Sequence, residues 1–182
     1  VENEANAFAF GESYRDRASK AGVTLFLVLE SGVGGGIIID GKLFRGGHGL
    51  AGEIGHVHVR DGTELEEVLG RAHLEGCEQN YDEALSWYRK AAGRADASVD
   101  DFLDAVRRTS PDAVVIAEDW AGSLAQAIVA ACRLLDPNRV VLGGRLAALY
   151  PLVAGRVARQ IDELQAATFP IPEIVVHEAA ES

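Results

Sequence analysis

The chain has 182 residues, of which 48% are hydrophobic and 25% charged, so it has an ordinary globular composition and enough length to bury one core. Its 28 acidic and 17 basic residues give a formal net charge of −11, and a field of that sign repels phosphate backbones. We therefore do not expect this chain by itself to bind nucleic acid.

The two cysteines, Cys77 and Cys132, bear on redox setting and metal binding. They lie far apart and form no CxxC motif, which excludes a disulfide framework and a Cys-rich zinc site and fits a reduced, cytosolic setting. No apolar run approaches the ~20 residues of a membrane span, so no membrane contact is expected. The chain contains no Met, and we expect it to be a piece of a longer polypeptide.

The N-terminal stretch predicts a helix. Residues 5–22, ANAFAFGESYRDRASKAG, have helical composition, and Gly22 is placed as a stop. Just before them, Asn3 can accept N–H groups of the first turn as an N-cap. Glu4 is an acid that the helix dipole favours at this end.

A glycine-rich stretch follows the first predicted strand. The apolar run VTLFLVLE leads into Ser31, and the glycines that follow are Gly32, Gly34, Gly35 and Gly36. A second apolar run, Ile37 to Ile39, ends in the turn dipeptide Asp40-Gly41, which predicts a strand, a glycine loop and a strand that turns into a third. The glycines either let several N–H groups point at one oxygen-rich ligand or only make a tight hairpin.

A second glycine-rich segment carries a carboxylate and an imidazole three residues apart. It runs from Gly46 to His56, with the sequence GGHGLAGEIGH, and contains Glu53. Carboxylate, amide and imidazole groups from separate segments are the chemistry that recognises a ligand with several hydroxyl groups.

The remaining chain predicts a helical block and two more strands. After a turn at 60–62, Thr63 and Glu66 have the T-x-x-E spacing of a capping box. Helices are predicted over 82–93 and 98–108, and a long helix suited to burial starts at Ser110-Pro111-Asp112 and ends at Asp136-Pro137. The last predicted elements are a strand over Arg139 to Leu142, a helix from about Leu146 to Ala166, and a strand over Glu173 to His177.

The run from Leu29 to Val59 resembles the signature of the ROK family, named for repressors, open reading frames and kinases, whose members bind sugars in an actin-like, two-lobed fold. The resemblance implies an α/β fold: one lobe of the actin-like ATPase (ribonuclease H-like) fold, with a mixed sheet flanked by helices. Residues 1–182 would be the C-terminal lobe. The N-terminal lobe and any helix-turn-helix domain would lie outside this sequence.

The resemblance also implies a sugar site built from separate segments. In the motif VENEAN, Glu4 stands where kinases of the family carry the Asp that removes a proton from the sugar hydroxyl, and its extra methylene shifts the carboxylate by about 1 Å. The family's loop ends in Leu-Glu, for which Leu65-Glu66 is the better match and Cys77-Glu78 the alternative; Glu66 then binds sugar, caps the helix, or both. The implied sugar ligands are Asn3, Glu4, Glu53, His56 and Glu66, and no catalytic residue is expected.

Two further departures from the family pattern concern nucleotide and metal. Glu30-Ser31-Gly32 stands where kinases resemble Gly-Thr-Gly, and a carboxylate beside a polyphosphate is repulsive, so neither ATP nor another cofactor is expected. Most members follow the motif's His with a CxCGxxGC loop, whose three cysteines and that His bind zinc. Residues 57–66 contain no cysteine, so we expect no metal, and His56 is then either a sugar ligand or an ordinary hydrogen-bonded histidine.

These departures favour the sugar-sensing effector domain of a ROK transcriptional regulator, a repressor resembling those for xylose and N-acetylglucosamine, which binds a monosaccharide without phosphorylating it. The alternative is a fragment of an ATP-dependent, glucokinase-like sugar kinase, and a purely structural or oligomerising lobe is a third reading. The resemblance implies a homodimer, a monosaccharide effector and operator DNA contacted only through an absent N-terminal domain. A cytoplasmic location is expected.

Overall fold

The computed structural model describes residues 6–9, 11, 22–30, 32–60, 62–69, 83–165 and 169–177. Its strands are β1 (Val23–Leu29), β2 (Val33–Ile39), β3 (Lys42–Leu43), β4 (His58–Arg60), β5 (Thr63–Glu64), β6 (Arg139–Gly143) and β7 (Glu173–Val176). Its α-helices are α1 (Leu65–Leu69), α2 (Glu83–Ala92), α3 (Val99–Arg107), α4 (Pro111–Leu135) and α5 (Tyr150–Leu164). Short 3₁₀ helices span Ile54–His56 and Arg145–Leu149, and residues 6–9 are helical.

Five strands form one mixed sheet in the order β3-β2-β1-β6-β7. β2 is antiparallel to β1 and to β3, whereas β6 is parallel to both β1 and β7. The central strand β1 is buried along most of its length, because neighbouring strands cover both edges and packed side chains cover both faces. The mixed sheet flanked by helices confirms the predicted fold class.

The turn between β2 and β3 follows from its two residues. Asp40 and Gly41 both have positive φ, 48° and 73°, the geometry of the two-residue turns whose twist matches a hairpin. The Asp40 side chain also accepts a hydrogen bond from the Gly22 N–H at 3.0 Å. This turn therefore holds the start of β1 beside the end of β2, where Val23 pairs with Ile39.

Alternate residues of β1 supply two separate apolar faces, as the period of two in a strand requires. Leu25, Leu27 and Leu29 belong to the large core that α1 to α5 cover. Phe26 points to the other face, where the helix at 6–9 packs against it through Phe8, with ring centroids 6.0 Å apart. The sheet is thus covered on both sides.

The long helix α4 is a core helix. It begins with Pro111 in its first turn and ends before Asp136, which is left-handed with φ 45°, so both predicted ends are confirmed. Among the described residues it is the one helix long and apolar enough to cross a membrane, and 61% of its apolar window is buried inside the fold. Our expectation that no apolar run approaches membrane-spanning length was therefore too strict, and burial is what identifies this helix as core.

The helix predicted from about Leu146 to Ala166 is divided in two. Arg145–Leu149 is a 3₁₀ helix, and the α-helix begins at Tyr150 with Pro151 in its first turn. Proline has no N–H to donate to a carbonyl four residues earlier, so regular α-helical hydrogen bonding cannot run through it from the preceding turn. Two elements therefore replace the single predicted one.

Candidate functional site

Three side chains from separate elements converge beside the end of the short 3₁₀ helix. The ring of His56, the carboxylate of Glu64 on β5 and the carboxylate of Glu66 in α1 each place one ligating atom within 4.8 Å of the others. They form the candidate site, and we refer to them as the His56 cluster.

A small hairpin brings the cluster together. β4 and β5 pair in antiparallel fashion, with His58 opposite Glu64, and Gly62 makes the turn with φ 80°. The Leu65 N–H then donates to the Val57 carbonyl at 2.8 Å. The chain therefore doubles back on itself, and residues 64–66 return to the side of His56. We did not predict this hairpin, because the sequence analysis assigned only a turn at 60–62.

The His56 ring is bound at Nδ1 by one carboxylate and has a second carboxylate near Nε2. Its Nδ1 lies 3.0 Å from Glu64 Oε2, and its Nε2 lies 4.0 Å from Glu53 Oε2. The hydrogen bond with Glu64 raises the pKa of His56 above its ordinary value of 6.5; partial burial opposes the shift, and the charges of Glu66, Glu64 and Glu53 reinforce it. The same bond lowers the pKa of Glu64. The site is therefore acidic around one central imidazole.

Glu53 is placed by backbone contacts between glycines. Gly52, with φ 96°, packs directly on β2, and a Cβ added to it would lie 2.5 Å from the Gly35 carbonyl oxygen. A Cβ on Gly55 would collide with the Val33 carbonyl oxygen. Only glycine permits this approach, and it seats the segment carrying Glu53 and His56 against the strand.

The predicted glycine loop is mostly a strand. Gly34, Gly35 and Gly36 lie within β2 and pair with Val28, Leu27 and Phe26 of β1, so these residues form a ladder rather than a cradle for a ligand. Of the predicted loop glycines, only Gly32 lies outside the strand. A Cβ on Gly32 would be 3.6 Å from Glu66 Oε2, which places the Glu66 carboxylate beside this turn. The glycines therefore serve mainly to let neighbouring chain segments pack closely together.

The capping role that the sequence assigned to Glu66 belongs to its neighbour. α1 begins at Leu65, and the Glu67 carboxylate accepts a hydrogen bond from the Glu64 N–H at 2.9 Å. The contact that caps the helix start is therefore shifted by one residue from the predicted pair of Thr63 and Glu66, because β5 extends through Glu64 and delays the helix. This leaves the Glu66 side chain on the side of the His56 cluster.

Glu30, which was predicted to disfavour phosphate binding, directly follows β1 and is not one of the residues of the His56 cluster. Its carboxylate accepts a hydrogen bond at 2.9 Å from the N–H of Arg145, the first residue of the 3₁₀ helix that follows β6. Gly144, with φ 86°, packs against the Leu29 backbone, and Gly143 leaves room for the Phe8 ring. The Gly143-Gly144 pair is accounted for by packing in this part of the chain.

The five predicted sugar ligands divide into two groups. Glu53 and Glu66 both lie close to His56, and the binding of sugar by these three residues stays a prediction. Asn3 and Glu4 lie outside the described residues, as does the alternative Glu78. Glu64 was missed, although it directly precedes the Leu65-Glu66 pair that was singled out. Its approach to His56 depends on the unpredicted hairpin.

The donor set around His56 does not match the family's zinc site. The His56 cluster offers one imidazole and two carboxylates, whereas the zinc site implied by the resemblance requires three thiolates beside the imidazole. The cysteine among the described residues, Cys132, is buried in α4. That the protein carries no structural zinc remains a prediction.

The fold and the site together define the class: one lobe of the actin-like ATPase fold, with an acidic site on the hairpin that follows its first three strands. The family described as "ROK family" matches residues 1–182, and the chain belongs to the ROK family. The class and the family thus agree with the resemblance carried by residues 29–59.

Sequence relatives are sugar kinases. The chain is 31% identical over 174 residues to an N-acetyl-D-glucosamine kinase from Erwinia tasmaniensis and 30% identical over 184 residues to one from Vibrio cholerae. These alignments cover 88% and 96% of this chain, but only 57% and 60% of the relatives. The chain therefore spans less than two thirds of the length of these kinases.

Solved structures agree on the fold. A ROK family glucokinase from Streptomyces griseus, in complex with glucose and AMPPNP, superposes with a TM-score of 0.76 at 23% identity, covering 97% of this chain and 62% of that one. A ROK family transcriptional regulator, a homologue of the E. coli MLC protein, superposes with a TM-score of 0.77 at 21% identity, covering 97% and 47%. At these sequence identities, both structural similarities are evidence for the fold alone.

Proposed function

We propose that the His56 cluster, together with Glu53, binds a monosaccharide, and that the complete protein is an ATP-dependent kinase for an N-acetylated hexosamine. The observation that carries the sugar-binding part is the proximity of Glu53 and Glu66 to His56, since the family resemblance assigns all three groups to the sugar. The kinase part rests on the sequence relatives.

The chemistry of the site suits a polyhydroxylated ligand. Each sugar hydroxyl is both a donor and an acceptor, so it is bound best where carboxylate acceptors stand beside a group that can donate. His56 supplies such a group between Glu53 and Glu64, and its side chain is 59% exposed, so a ligand can reach it. The Glu66 carboxylate lies at the same place and offers further acceptors.

The names of the relatives favour a kinase over the regulator that the sequence analysis favoured. Both sequence relatives described above are N-acetyl-D-glucosamine kinases, whereas the regulator is supported by a likeness in fold. A kinase moves the proton of the attacking sugar hydroxyl to a carboxylate while the hydroxyl oxygen bonds to the γ-phosphorus of ATP and ADP leaves. Glu4 is our proposal for that carboxylate, by its position in the motif.

A second candidate, a sugar sensor without phosphoryl transfer, is favoured by one contact. The Glu30 carboxylate accepts a hydrogen bond from the Arg145 N–H. Glu30 lies in the segment that the family resemblance places near the nucleotide phosphates. A carboxylate at that point disfavours a polyphosphate through like-charge repulsion, most strongly in a cleft that excludes water. This contact supports the regulator reading, in which sugar binding in this lobe would control operator binding by a separate domain.

Two measurements on the complete protein separate these functions. Calorimetry with N-acetylglucosamine, N-acetylgalactosamine and glucose tests sugar binding, and a coupled assay for ADP release tests turnover with Mg-ATP. Binding with sugar-dependent ADP release supports the kinase, whereas binding without ADP release supports the sensor. Absence of binding to every sugar tested would contradict the site itself.

Matched histidine variants locate the binding. We expect His56→Ala to weaken sugar binding at least about 10-fold, the range for losing one charge-assisted hydrogen bond. His48→Ala removes an exposed imidazole from the same glycine-rich segment and should leave binding unchanged. Equal affinities for the two variants would place the sugar elsewhere.

We also propose that the complete protein acts in the cytoplasm and as a homodimer. The reduced setting implied by two well-separated cysteines supports the location. The dimer rests on the family resemblance, and size-exclusion chromatography with light scattering measures it directly.

A further inference from the structure

We propose that Glu64 is a positioning residue for the sugar site: its carboxylate fixes the orientation and the proton of the His56 ring, so that Nε2 is presented to the ligand. This inference rests on the proposed sugar binding and assigns Glu64 a part in it. Sequence reasoning did not single out Glu64.

The backbone of Glu64 is held in place by contacts on several sides. Its backbone is paired with His58 across the β4–β5 hairpin, and its N–H is bound by the Glu67 carboxylate at 2.9 Å. The next residue, Leu65, is fully buried and donates its N–H to the Val57 carbonyl. The backbone position from which the Glu64 side chain reaches His56 is therefore well fixed.

The His56 ring is only loosely packed by its neighbours. Its side chain is 59% exposed, so neighbouring atoms do little to restrict rotation of the ring. The 3.0 Å contact between Nδ1 and Glu64 is therefore the main restraint on the ring that the described residues show. The Glu64 side chain is 33% exposed, so the bond is partly shielded from water.

The two ring nitrogens differ in their chemistry. A carboxylate only accepts hydrogen bonds, so Nδ1 must carry a proton to bond with Glu64. In the neutral ring this leaves Nε2 as an acceptor for a hydroxyl proton, and in the charged ring Nε2 becomes a donor. Nε2 faces Glu53 at a separation of 4.0 Å, which leaves a place for a ligand hydroxyl at the edge of both groups.

Glu64 therefore does for His56 what an outer-shell carboxylate does for a histidine that binds a metal or a substrate: it selects the protonated nitrogen and aims the other one. Glu66 and Glu53 contribute charge to the same ring without its short hydrogen bond. The roles within the cluster are thus distinct, with Glu64 behind the ring and Glu53 on the ligand side.

The test uses the complete protein with Glu64→Ala, Glu64→Gln and the control Asp104→Asn. Asp104 pairs with Arg107 at 2.7 Å on the surface of α3, so its variant removes an exposed negative charge far from the hairpin in sequence. Long-range ¹H–¹⁵N spectra of the His56 ring report which nitrogen carries the proton. Calorimetry with N-acetylglucosamine reports the affinity.

We expect the wild-type ring to show protonated Nδ1. Glu64→Ala should remove that preference and weaken sugar binding by about 10- to 100-fold, the range for losing an outer-shell partner. Glu64→Gln keeps an acceptor oxygen and should restore much of the tautomer preference and part of the affinity. In turnover assays the loss should appear in KM more than in kcat, since the base is a different residue. Asp104→Asn should match wild type.

Several results would overturn the inference. A wild-type ring without a proton on Nδ1, or unchanged sugar affinity in Glu64→Ala, removes the positioning role while the sugar site stands. Tight binding of Zn²⁺ alone, with loss of the Nδ1 proton, would replace positioning by metal ligation. If wild type binds no sugar, the proposed function fails. The role of Glu64 in ordering the ring is then tested by the spectra alone: an Nδ1 proton that is present in wild type and lost in Glu64→Ala supports it, and any other result contradicts it.

Discussion

At the scale of single residues, the chemistry of the site comes from how carboxylates share one imidazole. Glu64 makes the short contact to Nδ1 and is the first cause of the raised pKa of His56. Glu53 and Glu66 act mainly through their charge. Because His56 responds to all three, its titration is a sensitive report on the geometry of the whole cluster.

The pair of His56 and Glu64 predicts a defined pH dependence. Folding raises the pKa of His56, so its contribution to stability is present below pH 6.5 and is lost as the pH rises through the raised pKa. Folding lowers the pKa of Glu64, so its contribution is present above pH 4.5 and is lost as the pH falls through the lowered pKa. The pair therefore contributes most between pH 4.5 and 6.5.

Nuclear magnetic resonance titration checks this in the complete protein. The His56 midpoint should lie above 6.5 in wild type and move down in Glu64→Ala, because the hydrogen bond that is the largest cause of the shift is removed. An unchanged His56 midpoint in the variant would show that Glu64 does not contact the ring in solution.

At the scale of elements, the site depends on a contact between two backbones. Gly35 of β2 and Gly52 of the following segment meet without side chains between them, and the 3₁₀ helix carrying His56 begins two residues later. The close packing of these glycines therefore sets the distance between β2 and the segment that carries Glu53 and His56. Any side chain at this contact would push the segment away from the sheet.

Replacing Gly52 with alanine tests this contact. The new Cβ would meet the Gly35 carbonyl at 2.5 Å at a φ of 96°, and we expect a loss of at least about 1 kcal/mol in the free energy of unfolding. Gly47→Ala is the matched control in the same segment, because nothing lies within 4 Å of its added Cβ. Urea denaturation of both variants measures the difference, and equal midpoints would contradict the packing role.

At the scale of the whole molecule, distant parts of the chain complete the sheet. β1 and β6 are parallel neighbours, and the Asn138 side chain accepts the Val23 N–H at 2.8 Å across 115 residues. α4 precedes β6 and fills the space over the sheet, with Trp120, Leu124 and Ile128 fully buried. This helix therefore supplies a large part of the core that covers the sheet.

Two leucines of α4 separate core from surface. Leu124 has no exposed area, and Leu124→Ala should lower the free energy of unfolding by about 2–5 kcal/mol, through lost burial and the cavity that remains. Leu134 is 82% exposed, and Leu134→Ala should change it by less than about 0.5 kcal/mol. Chemical denaturation of the complete protein measures both, and a small effect of Leu124→Ala would contradict the assignment of α4 as the core helix.

Much of the fold could be predicted because its signals are local. The Asp40-Gly41 turn, Pro111 at a helix start and the apolar runs of β1 and β6 each depend on residues next to one another, so their elements were found. The β4–β5 hairpin was missed although the sequence from His58 to Glu64 contains Asp61-Gly62, a turn dipeptide of the same kind as Asp40-Gly41, because the strands that flank it are only three and two residues long. The break at Pro151 was missed although its signal is local, since in a helix that starts at about Leu146 this proline lies beyond the first turn, where it interrupts α-helical hydrogen bonding.

The sequence by itself determined the family, the order of the five sheet strands and of the main helices, and the choice of Glu53, His56 and Glu66 as a set, because a long ordered motif and short-range propensities depend on neighbouring residues. Only the tertiary structure decided that Glu64 contacts His56, that Glu67 rather than Glu66 binds the helix start, and that the glycines serve close packing. Each of these depends on strand register and on backbone separations of a few ångströms. Such distances arise when remote segments pack together, and spacing along the chain does not specify them.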